Sequence, residues 1–456
     1  MANTCHNAMQ KPEPDSKTFR LVSNLPAGEA DIKALHAALT QCGPDAGPWS
    51  AVPFPGTPGL LYWSSPESFP EEEAVACIRD GVVSLIPVFF GEKVHVGQPV
   101  GTQYLSGLAA DEMGRYLRSR CFALEALDRP SLTPESSLAG AEPLASPSDP
   151  ARVAGEVAGL GDRLLFETGG YRAYLVRESD APELMREVYR LREATFRAVG
   201  EGTGKAHDTD AYDREYRHLV LWHISDAAVA GSYRIGYGPD LMAAHEGVSG
   251  FYSSTLVDYG PDAPAILSRS MELGRSFVVG RYQRDVLPLK LLLAGLCVAA
   301  TRDTSVEYCV GLVSISTVLP DLYKSLAVHF LQRDLRLEDA GRFASPTNPF
   351  RPDFLGVDPE DLLQVVPQGD IDAFDRLLNS ISEGCYRIPV LFRKYFSCGA
   401  RVACFNVDPA FSDSLDAMIV LRLRDFPRES IRSFVRSLPQ ESQDRVFRHF
   451  YPDDVA

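Results

Sequence analysis

The sequence predicts a mixed α/β fold in its second half, where strand-like and helix-like segments alternate. The segment "YRAYLVRE" (171–178) alternates like a strand, and "LMREVYRLREATFR" (184–197) has helical apolar spacing. The strands "HLVLWHI" (218–224) and "VAGSYRIGY" (229–237) are separated by "SDAA" and predict an antiparallel hairpin. Elements that alternate in this way predict a mixed sheet with helices on its faces.

Further elements complete the predicted sheet. The run "LPLKLLLAGLCVAA" (287–300) predicts a buried helix, since Lys290 interrupts it and it is too short to cross a bilayer. Asp180 and Glu183 have capping-box spacing before the first helix. The other expected strands are "MELGRSFVV" (271–279), "EYCVGLVSIS" (307–316), "ARVACFNVD" (400–408) and "AMIVLRL" (417–423), and the other expected helices are "LPDLYKSLAVHFL" (319–331) and "RIPVLFRKYFSCG" (387–399).

Composition divides the chain into five parts. Residues 1–20 are polar and predict a disordered tail, and 21–128 predict a small α/β unit. The segment 129–159 is rich in Pro, Ser, Ala and Gly, which predicts a linker. Residues 160–425 form the predicted second domain, and 426–456 a helical C-terminal tail.

The charge balance excludes some functions. A formal net charge of -16 argues against a nucleic-acid partner, because no basic excess is present to neutralise phosphates. Nine cysteines without a C-x-x-C pair are typical of reduced thiols in a cytoplasmic protein. We therefore expect a cytoplasmic protein whose contact with membrane lipid is peripheral, at the inner face of the cell membrane.

The stretch "VGEGTGKAHDTDAYD" (199–213) matches no common ligand motif. The Walker motif is not matched, because Lys205 is followed by Ala206 and not by serine or threonine. The EF-hand motif is not matched, because the fifth residue from Asp208 is Tyr212, where an oxygen ligand is required. The nearby histidines lack paired-ligand spacing, so no metal is predicted. On motifs alone the stretch is a solvated, Gly-rich acidic loop.

Four blocks in order carry a family resemblance. They are "LREATFRAVGEGTGKAHDTDAYDREYRHLVLW", "GSYRIG", "ELGRSFV" and "GLVSIS". The chain over about 160–425 resembles the GNAT-type N-acyltransferase domain of the ornithine-lipid synthase and hemolysin-like family, which is related to the acyl-homoserine-lactone synthases. The resemblance implies a GNAT-like mixed sheet flanked by helices.

The resemblance also implies site residues. On the acceptor side it implies Arg192, Phe196, Asp210, Asp213, Arg234, Glu272 and Arg275. The stretch 199–213 would then be a flap over the amine substrate, with glycines that permit closure and carboxylates that face a cationic amino acid. Asp210 and Asp213 could equally pair with Arg192 or Arg234.

Glu272 is the expected general base, since an α-ammonium must lose a proton before it attacks a thioester. The alternative is a structural ion pair between Glu272 and Arg275. Backbone N–H groups near Phe277, Val278 and Val279 would hold the developing oxyanion.

The acyl donor is expected beside the same strand. Arg275 with Arg281 or Arg284 would meet the phosphate of a phosphopantetheine arm, although the latter two could be a solvated basic turn. A Gly-rich loop is lacking, which favours acyl carrier protein over coenzyme A as the donor. The candidate proton donors to the departing thiolate are Ser314, Ser316 and Tyr323. Leu312 stands where the family block has proline, so the resemblance does not decide whether this strand has the family's local bulge.

The first half resembles the C-terminal part of a lysophosphatidate-type acyltransferase domain. The matching pieces are "SLIPVFF", "KVHVGQPV" and "LAADEMGRYLRSRCFAL". The H-x-x-x-x-D pair of such domains is missing, because His36 is followed five residues later by Gln41, and "PFPGTPG" lacks the family's glutamate. We expect a truncated, non-catalytic remnant.

The resemblance as a whole predicts an N-acyltransferase without a cofactor. It would move a long-chain, 3-hydroxylated or plain, acyl group from acyl carrier protein, or from coenzyme A, to the α-amine of an amino acid, as in ornithine- or glycine-lipid synthesis. A signal synthase using S-adenosylmethionine, a catalytically silent protein that binds acyl chains or membranes, and a pore-former are the alternatives. A pore-former should show a long amphipathic or spanning segment, and none is evident in the sequence.

Overall fold

A computed structural model describes residues 140–454 without a break and parts of the chain before them. The described N-terminal parts are 19–23, 60–62, 75, 84–90, 94–98, 100–101, 105 and 107–129. Most of the predicted tail, His36 and the "PFPGTPG" segment lie outside the described residues.

The described strands are numbered along the chain. They are β1 Phe19–Ser23, β2 Leu60–Tyr62, β3 Ser84–Phe90, β4 Val94–Val96, β5 Val100–Gly101, β6 Leu164–Thr168, β7 Tyr171–Val176, β8 Arg217–His223, β9 Ala228–Tyr237, β10 Val257–Tyr259, β11 Ser270–Val278, β12 Tyr308–Ile315, β13 Ala344–Pro346, β14 Arg401–Asp408 and β15 Ser414–Arg422.

The described α-helices are numbered in the same way. They are α1 Ala110–Phe122, α2 Pro150–Ala158, α3 Pro182–Arg197, α4 Gly238–Ala244, α5 Ala263–Leu267, α6 Leu287–Ala300, α7 Asp321–Asp334, α8 Ala340–Phe343, α9 Pro359–Leu363, α10 Ile371–Ile381, α11 Val390–Ser397, α12 Arg428–Val435 and α13 Gln440–Phe450.

The chain forms two compact units that are each discontinuous in sequence. Unit 1 contains Met1–Ser131, Leu319–Asp334 and Arg351–Pro389, and unit 2 contains Leu132–Val318, Leu335–Phe350 and Val390–Ala456. The sequence boundaries differ, since they assign all of 160–425 to one domain. A contiguous reading of composition cannot detect that two later segments belong to the N-terminal unit.

Unit 1 contains a small sheet in the order β2-β1-β3-β4, with β5 also on β3. β1 pairs in parallel with β2 and β3, and β3 pairs antiparallel with β4. The predicted strand at "SLIPVFF" and the helix that follows are present as β3 and α1. Whether this unit is an acyltransferase remnant stays a prediction.

Unit 2 contains an eight-stranded sheet in the order β14-β15-β12-β11-β9-β8-β7-β6. Every neighbouring pair is antiparallel except β11 with β12. Helix α3 packs on one face of the sheet, and the nearly all-buried helix α6 packs on the other, where α12 and α13 contact it. The predicted α/β fold class is confirmed: a mixed sheet flanked by helices.

Two local expectations are wrong. The predicted linker contains α2, which begins at Pro150 with the Asp149 side chain accepting a hydrogen bond from the Ala151 N–H at 2.9 Å, and which buries Val153 and Val157. Proline fits the first helical turn, so its presence there marks a helix start and not a linker. The Asp180–Glu183 capping box does not form, because Asp180 accepts the Arg177 N–H in a separate turn.

Candidate active site

The central feature of unit 2 is a gap between β11 and β12. The two strands pair only at three positions, the last of which joins Glu272 to Val310. Beyond that point β11 continues along β9 as far as Val278, and β12 continues along β15 as far as Ile315. The two strands therefore separate in a V whose apex is at Glu272.

A bulge on β11 accompanies the separation. Gly274 pairs with Arg234 but Phe277 pairs with Ser232, so one extra residue is inserted on β11. Arg275 lies in the bulge with φ 49°, a left-handed conformation that is costly for a residue with a side chain. β12 stays regular through Leu312, so the bulge belongs to β11 and the missing proline does not remove it.

Glu272 lies at the apex with all of its acceptor positions used. Oε2 accepts hydrogen bonds from the Tyr216 hydroxyl and from the Tyr252 N–H at 2.9 Å. Oε1 accepts bonds from the Ser253 N–H at 2.9 Å and from the Ser253 hydroxyl. A carboxylate offers about four acceptor sites, so these donors fill it. The side chain is 3% exposed, and burial, followed by the charge of Glu272, raises the pKa of Tyr216 well above its usual range.

The buried face of α3 explains why an arginine lies in the core. Arg192 follows Val188 by four residues and precedes Phe196 by four, so all three side chains point towards the sheet. Arg192 is 1% exposed, and it must be paired because an isolated buried charge is very unfavourable. Its partners are Asp213, held by two nitrogens at 3.0 and 2.9 Å, and Asp208, at 2.9 Å.

Asp210 and Asp213 form the local turn that presents them to the arginines. Their side chains cap the backbone of this turn, since Asp210 accepts the Tyr212 N–H and Asp213 accepts the Asp210 N–H. Arg234 donates to Asp210 at 2.6 Å and to Asp213 at 3.3 Å. Burial opposes ionisation of Asp213, but Arg192 and Arg234 outweigh it and hold the pKa well below its usual range. Of the two sequence alternatives, the structure contains the pairing with arginine.

Arg275 differs from the other two arginines because its ion pairs are loose. Its nitrogens lie 3.5 Å from Asp208 and 3.5 Å from Asp210, and it donates to the Tyr252 hydroxyl at 3.2 Å. Its guanidinium lies over the rings of Tyr252 and Phe411 at 4.8 and 4.9 Å. The carboxylate partners of Arg275 are thus these aspartates, whereas Glu272 is held by hydroxyl and N–H donors.

The other side of the gap presents carboxylates that the sequence analysis missed. Ser314 on β12 donates to Asp416 on β15 at 2.6 Å. Burial, and then the charge of Asp408, raise the pKa of Asp416 to about 7. Glu201 follows α3, and burial together with the charge of Asp416 raises its pKa to about 7 as well. The available signal was an aspartate inside the apolar run "SLDAMIVL" of β15.

The stretch predicted as a flap is anchored at both ends of its glycine-rich part. The fully buried Glu193 accepts hydrogen bonds from the N–H and hydroxyl of Thr203, at 3.0 and 2.7 Å, and from the Gly204 N–H at 2.9 Å. Ser316 donates to the Val199 carbonyl at 2.9 Å. Ser316 therefore holds the loop, and the glycines serve a fixed turn in this conformation.

The predicted donor-side residues are dispersed. The Val279 N–H donates to the Ala230 carbonyl at 2.9 Å, so it is already used. Because N–H directions alternate along a strand, the neighbouring Val278 N–H points away from β9, towards the gap. Arg281 and Arg284 are exposed in the turn before α6, with Arg281 over the ring of Tyr282.

Tyr323 is far from the role predicted for it. It belongs to unit 1, is 0% exposed, and donates to the carbonyls of Ala123 and Ile381 at 3.1 and 3.2 Å. Its hydroxyl is engaged in the core of that unit. The sequence placed it near the site because it follows β12 closely, but the chain enters unit 1 before reaching it.

Two hollows in unit 2 are lined by residues of this region. A narrow apolar cavity of about 30 Å³ lies between the sheet, α6 and the C-terminal helices, and its lining includes Leu273, Leu296, Cys309 and Phe450. A wider pocket of about 510 Å³ has a lining that includes Tyr189 on α3, His207 and Asp210. Within the described part of the chain, no helix combines the length and apolar character needed to cross a membrane.

Comparison with known proteins matches part of this unit to a family. Residues 191–293 match the acetyltransferase (GNAT) domain. The matched span begins in α3, includes β8, β9 and β11, and ends in α6, so it contains both sides of the arginine cluster and the bulge. The protein is an acyltransferase with a GNAT domain.

Two curated proteins are similar over a longer stretch. Both are named glycine N(alpha)-acyltransferase. The one from Bacteroides thetaiotaomicron is 28% identical over 284 residues, which cover 58% of this chain and 82% of the relative. The one from Phocaeicola vulgatus is 25% identical over 284 residues, which cover 59% of this chain and 86% of the relative.

A solved structure also aligns with this chain. It is a CoA-dependent acyl-homoserine lactone synthase, BjaI, with SAM and isopentyl-CoA. The match has 16% identity and covers 45% of this chain and 96% of that chain, with a TM-score of 0.23.

Proposed function

We propose that this acyltransferase moves a long-chain fatty acyl group from a thioester to the α-amine of an amino acid. The product would be an N-acyl amino acid of the lyso-aminolipid type. Glycine is the first amine to test, because two relatives carry the name glycine N(alpha)-acyltransferase. Ornithine and other amino acids follow, and acyl carrier protein is the proposed carrier of the thioester.

The observation that carries the proposal is the gap between β11 and β12 with charged side chains on one face. A thioester that lies between the separated strands can hydrogen-bond to backbone groups that no neighbouring strand uses, such as the Val278 N–H. The same face presents Arg275 on one side and Asp416 on the other. This pairing of charges suits a zwitterion, with its carboxylate towards the arginine and its ammonium towards the aspartate.

Arg275 is the proposed ligand for the substrate's carboxylate. Its side chain is 13% exposed, in contrast to Arg192 and Arg234, which are both 1% exposed. Its contacts to Asp208 and Asp210 at 3.5 Å are longer than charge-assisted hydrogen bonds, which are typically about 2.7–2.9 Å. A substrate carboxylate can therefore gain short hydrogen bonds from this guanidinium without displacing a short ion pair.

A small apolar cavity beside the gap marks the proposed path of the acyl chain, and its volume of about 30 Å³, close to that of one water molecule, requires it to widen when a chain binds. Cys309, which lines it, belongs to the paired beginning of β11 and β12, and Leu273, which also lines it, follows the apex at Glu272 by one residue. The cavity and the gap are thus on opposite faces of the same seam. A methylene chain that continues from the gap would meet an apolar lining, which favours its transfer from water.

The test is the reaction of the purified full-length chain with a 3-hydroxyhexadecanoyl thioester of acyl carrier protein and with the corresponding coenzyme A thioester. Glycine, ornithine, serine, and glycine methyl ester are supplied separately, and products are identified by mass spectrometry. We expect an N-acyl amino acid from at least one free amino acid, and poor reaction of the methyl ester, which lacks the carboxylate that Arg275 would bind.

Two variants make the result specific. Arg275→Ala should raise the KM for the amino acid and remove the preference over the methyl ester. Asp258→Asn, at an exposed position of β10, should leave both unchanged. The proposal fails if the unmutated chain forms no amide from any free amino acid with either thioester.

A further inference from the structure

We propose that Asp416 is the proton acceptor for the amine and that Ser314 relays the proton to the departing sulfur. This inference rests on the proposed function, because it names the group that performs its proton transfers. It differs from the sequence-based assignment, in which Glu272 is the base.

The geometry places Ser314 and Asp416 beside the open part of the gap. Ser314 lies four residues beyond Val310, where β12 leaves β11, and Arg275 lies three residues beyond Glu272 on the other strand. At about 3.3 Å per residue, both are about 10–13 Å past the apex. Because side chains alternate along a strand, Ser314 shares the face of Val310, which packs with Tyr216 beside Glu272.

Asp416 has an acceptor atom to spare. Within the described residues, its hydrogen bonds come from the hydroxyls of Ser314 at 2.6 Å and Ser414 at 3.4 Å, and both go to Oδ1. Oδ2 is left for a substrate N–H. Asp416 is 3% exposed, so an ammonium that reaches it must leave bulk water. An ion pair in this buried position is stronger than one at the surface.

Among the described residues, no cationic side chain forms an ion pair with Asp416. Asp408 on β14 and Glu201 on the loop after α3 are acidic, and Ser314 and Ser414 are neutral. Arg275, across the gap, lowers the pKa of Asp416, but burial and Asp408 outweigh it and bring the pKa to about 7. A base whose pKa lies near the working pH is the most effective kind.

The other carboxylates of the site are less suited to accept a proton. Glu272 has four donors on its two oxygens, and Asp213 is held in its ionised form by two arginines. Asp210 and Asp208 each contact an arginine within 3 Å. Asp416 and Glu201 remain as the pair that changes protonation near neutral pH.

The proton transfers balance with one thioester and one ammonium. The ammonium gives one proton to Oδ2 of Asp416, and the free amine attacks the carbonyl carbon, so the C–N bond forms. The C–S bond then breaks with its electron pair on sulfur, the Ser314 hydroxyl gives its proton to that sulfur, and the carboxyl group of Asp416 turns and returns its proton to the Ser314 oxygen. The second nitrogen proton goes to Asp416 and from there to solvent. The products are one amide, one thiol and one proton.

The test compares pH profiles of kcat/KM for glycine acylation in Asp416→Asn, Ser314→Ala, Ser314→Thr and Glu272→Gln, from about pH 6 to about pH 9.5. The unmutated protein should gain activity with rising pH through about 7. Asp416→Asn should lose roughly 100-fold to 10,000-fold at neutral pH and recover towards alkaline pH, where the amine deprotonates in bulk water. A merely structural role would lower activity equally at every pH.

The serine variants test the relay and serve if Asp416→Asn does not fold. Ser314→Ala should lower kcat more than KM, and Ser314→Thr, which keeps the hydroxyl, should restore most of kcat. Glu272→Gln should lower thermal stability and reduce the rate, but the pH at which activity rises should stay the same.

The outcomes separate this inference from the proposed function. If the unmutated chain makes N-acyl glycine but Asp416→Asn keeps the pH limb, or Glu272→Gln abolishes it, then Asp416 is not the base and only the inference is overturned. If the unmutated chain acylates no amine, the proposed function is overturned and this inference with it.

Discussion

Arg192 and Asp213 form a two-pronged ion pair, with N–O distances of 3.0 and 2.9 Å, in which neither side chain is more than 1% exposed. The pair joins α3 to the turn after the glycine-rich stretch. Arg234 on β9 reaches the same aspartate, so one buried carboxylate ties a helix, a loop and a strand together. Unit 2 therefore depends on it for the shape of the arginine cluster.

Removal of that carboxylate should strongly destabilise the protein. Asp213→Ala leaves two buried guanidinium groups short of a partner, and breaking such a pair typically costs about 3–5 kcal/mol. Asp262→Ala breaks the ion pair with Arg342, which has two contacts of 2.7 Å but is exposed, and should cost less than about 1 kcal/mol. Urea unfolding midpoints measure both; equal losses would contradict the assigned role of burial.

The apex of the gap should tolerate no added methyl group. A Cβ on Gly311 would lie 2.3 Å from the Leu273 carbonyl oxygen, whereas a Cβ on Gly274 would meet nothing within 4 Å. Gly311→Ala should lose about 1–3 kcal/mol through overpacking, and Gly274→Ala should change stability by about 0.5 kcal/mol or less. Thermal denaturation of the two variants checks this, and a larger loss in Gly274→Ala would show that the gap is not open there.

Asp416 should make the protein less stable as the solution becomes more basic. Its pKa in the folded state is about 7, above the ordinary value of about 3.9, so its favourable contribution is complete below about pH 4 and is lost as pH rises through about 7. Asp416→Asn should therefore raise the melting temperature most at about pH 8.5 and least at about pH 5. Asp258→Asn is the exposed control, and a pH-independent change in Asp416→Asn would be evidence against the shift.

The depressed pKa of Asp213 acts in the opposite direction. Its contribution is present above about pH 4 and disappears as acid protonates it, so it affects only the acid side of the same curve.

Filling the apolar cavity should shorten the preferred acyl chain. Leu296→Trp adds volume where Leu273 and Cys309 line a space of about 30 Å³. We expect the chain-length distribution of products to move to shorter chains, with kcat for short thioesters kept. Lys290→Trp, at the start of the same helix and outside that lining, is the matched control; an equal shift in both variants would place the chain elsewhere.

Much of unit 2 could be predicted from sequence because its signals are local. The hairpin of β8 and β9, the buried helix α6 and the strand at Glu272 follow from apolar periodicity alone. The arginines and aspartates of the cluster followed from the family resemblance. Whether these arginines and aspartates pair with one another or with a substrate depends on how deeply they are buried, and tertiary packing sets that burial.

The missed residues share a different property. Asp416 meets Ser314 across 102 residues of chain, and Glu201 interacts with Asp416 from a loop still further away in sequence. No spacing rule links such positions, because β15 returns to β12 only after the excursion through unit 1. The same excursion carries Tyr323 into unit 1, where its hydroxyl donates to the carbonyls of Ala123 and Ile381.

The interleaved order of the two units has a consequence for synthesis of the chain on the ribosome. The N-terminal segment of unit 1 is complete at residue 131, but its last segment ends at residue 389. At about 5–20 residues per second, the first part waits tens of seconds for the last part. During that time the N-terminal segment lacks the two later segments of unit 1, so we expect this unit to complete its folding only after residue 389 has been synthesised.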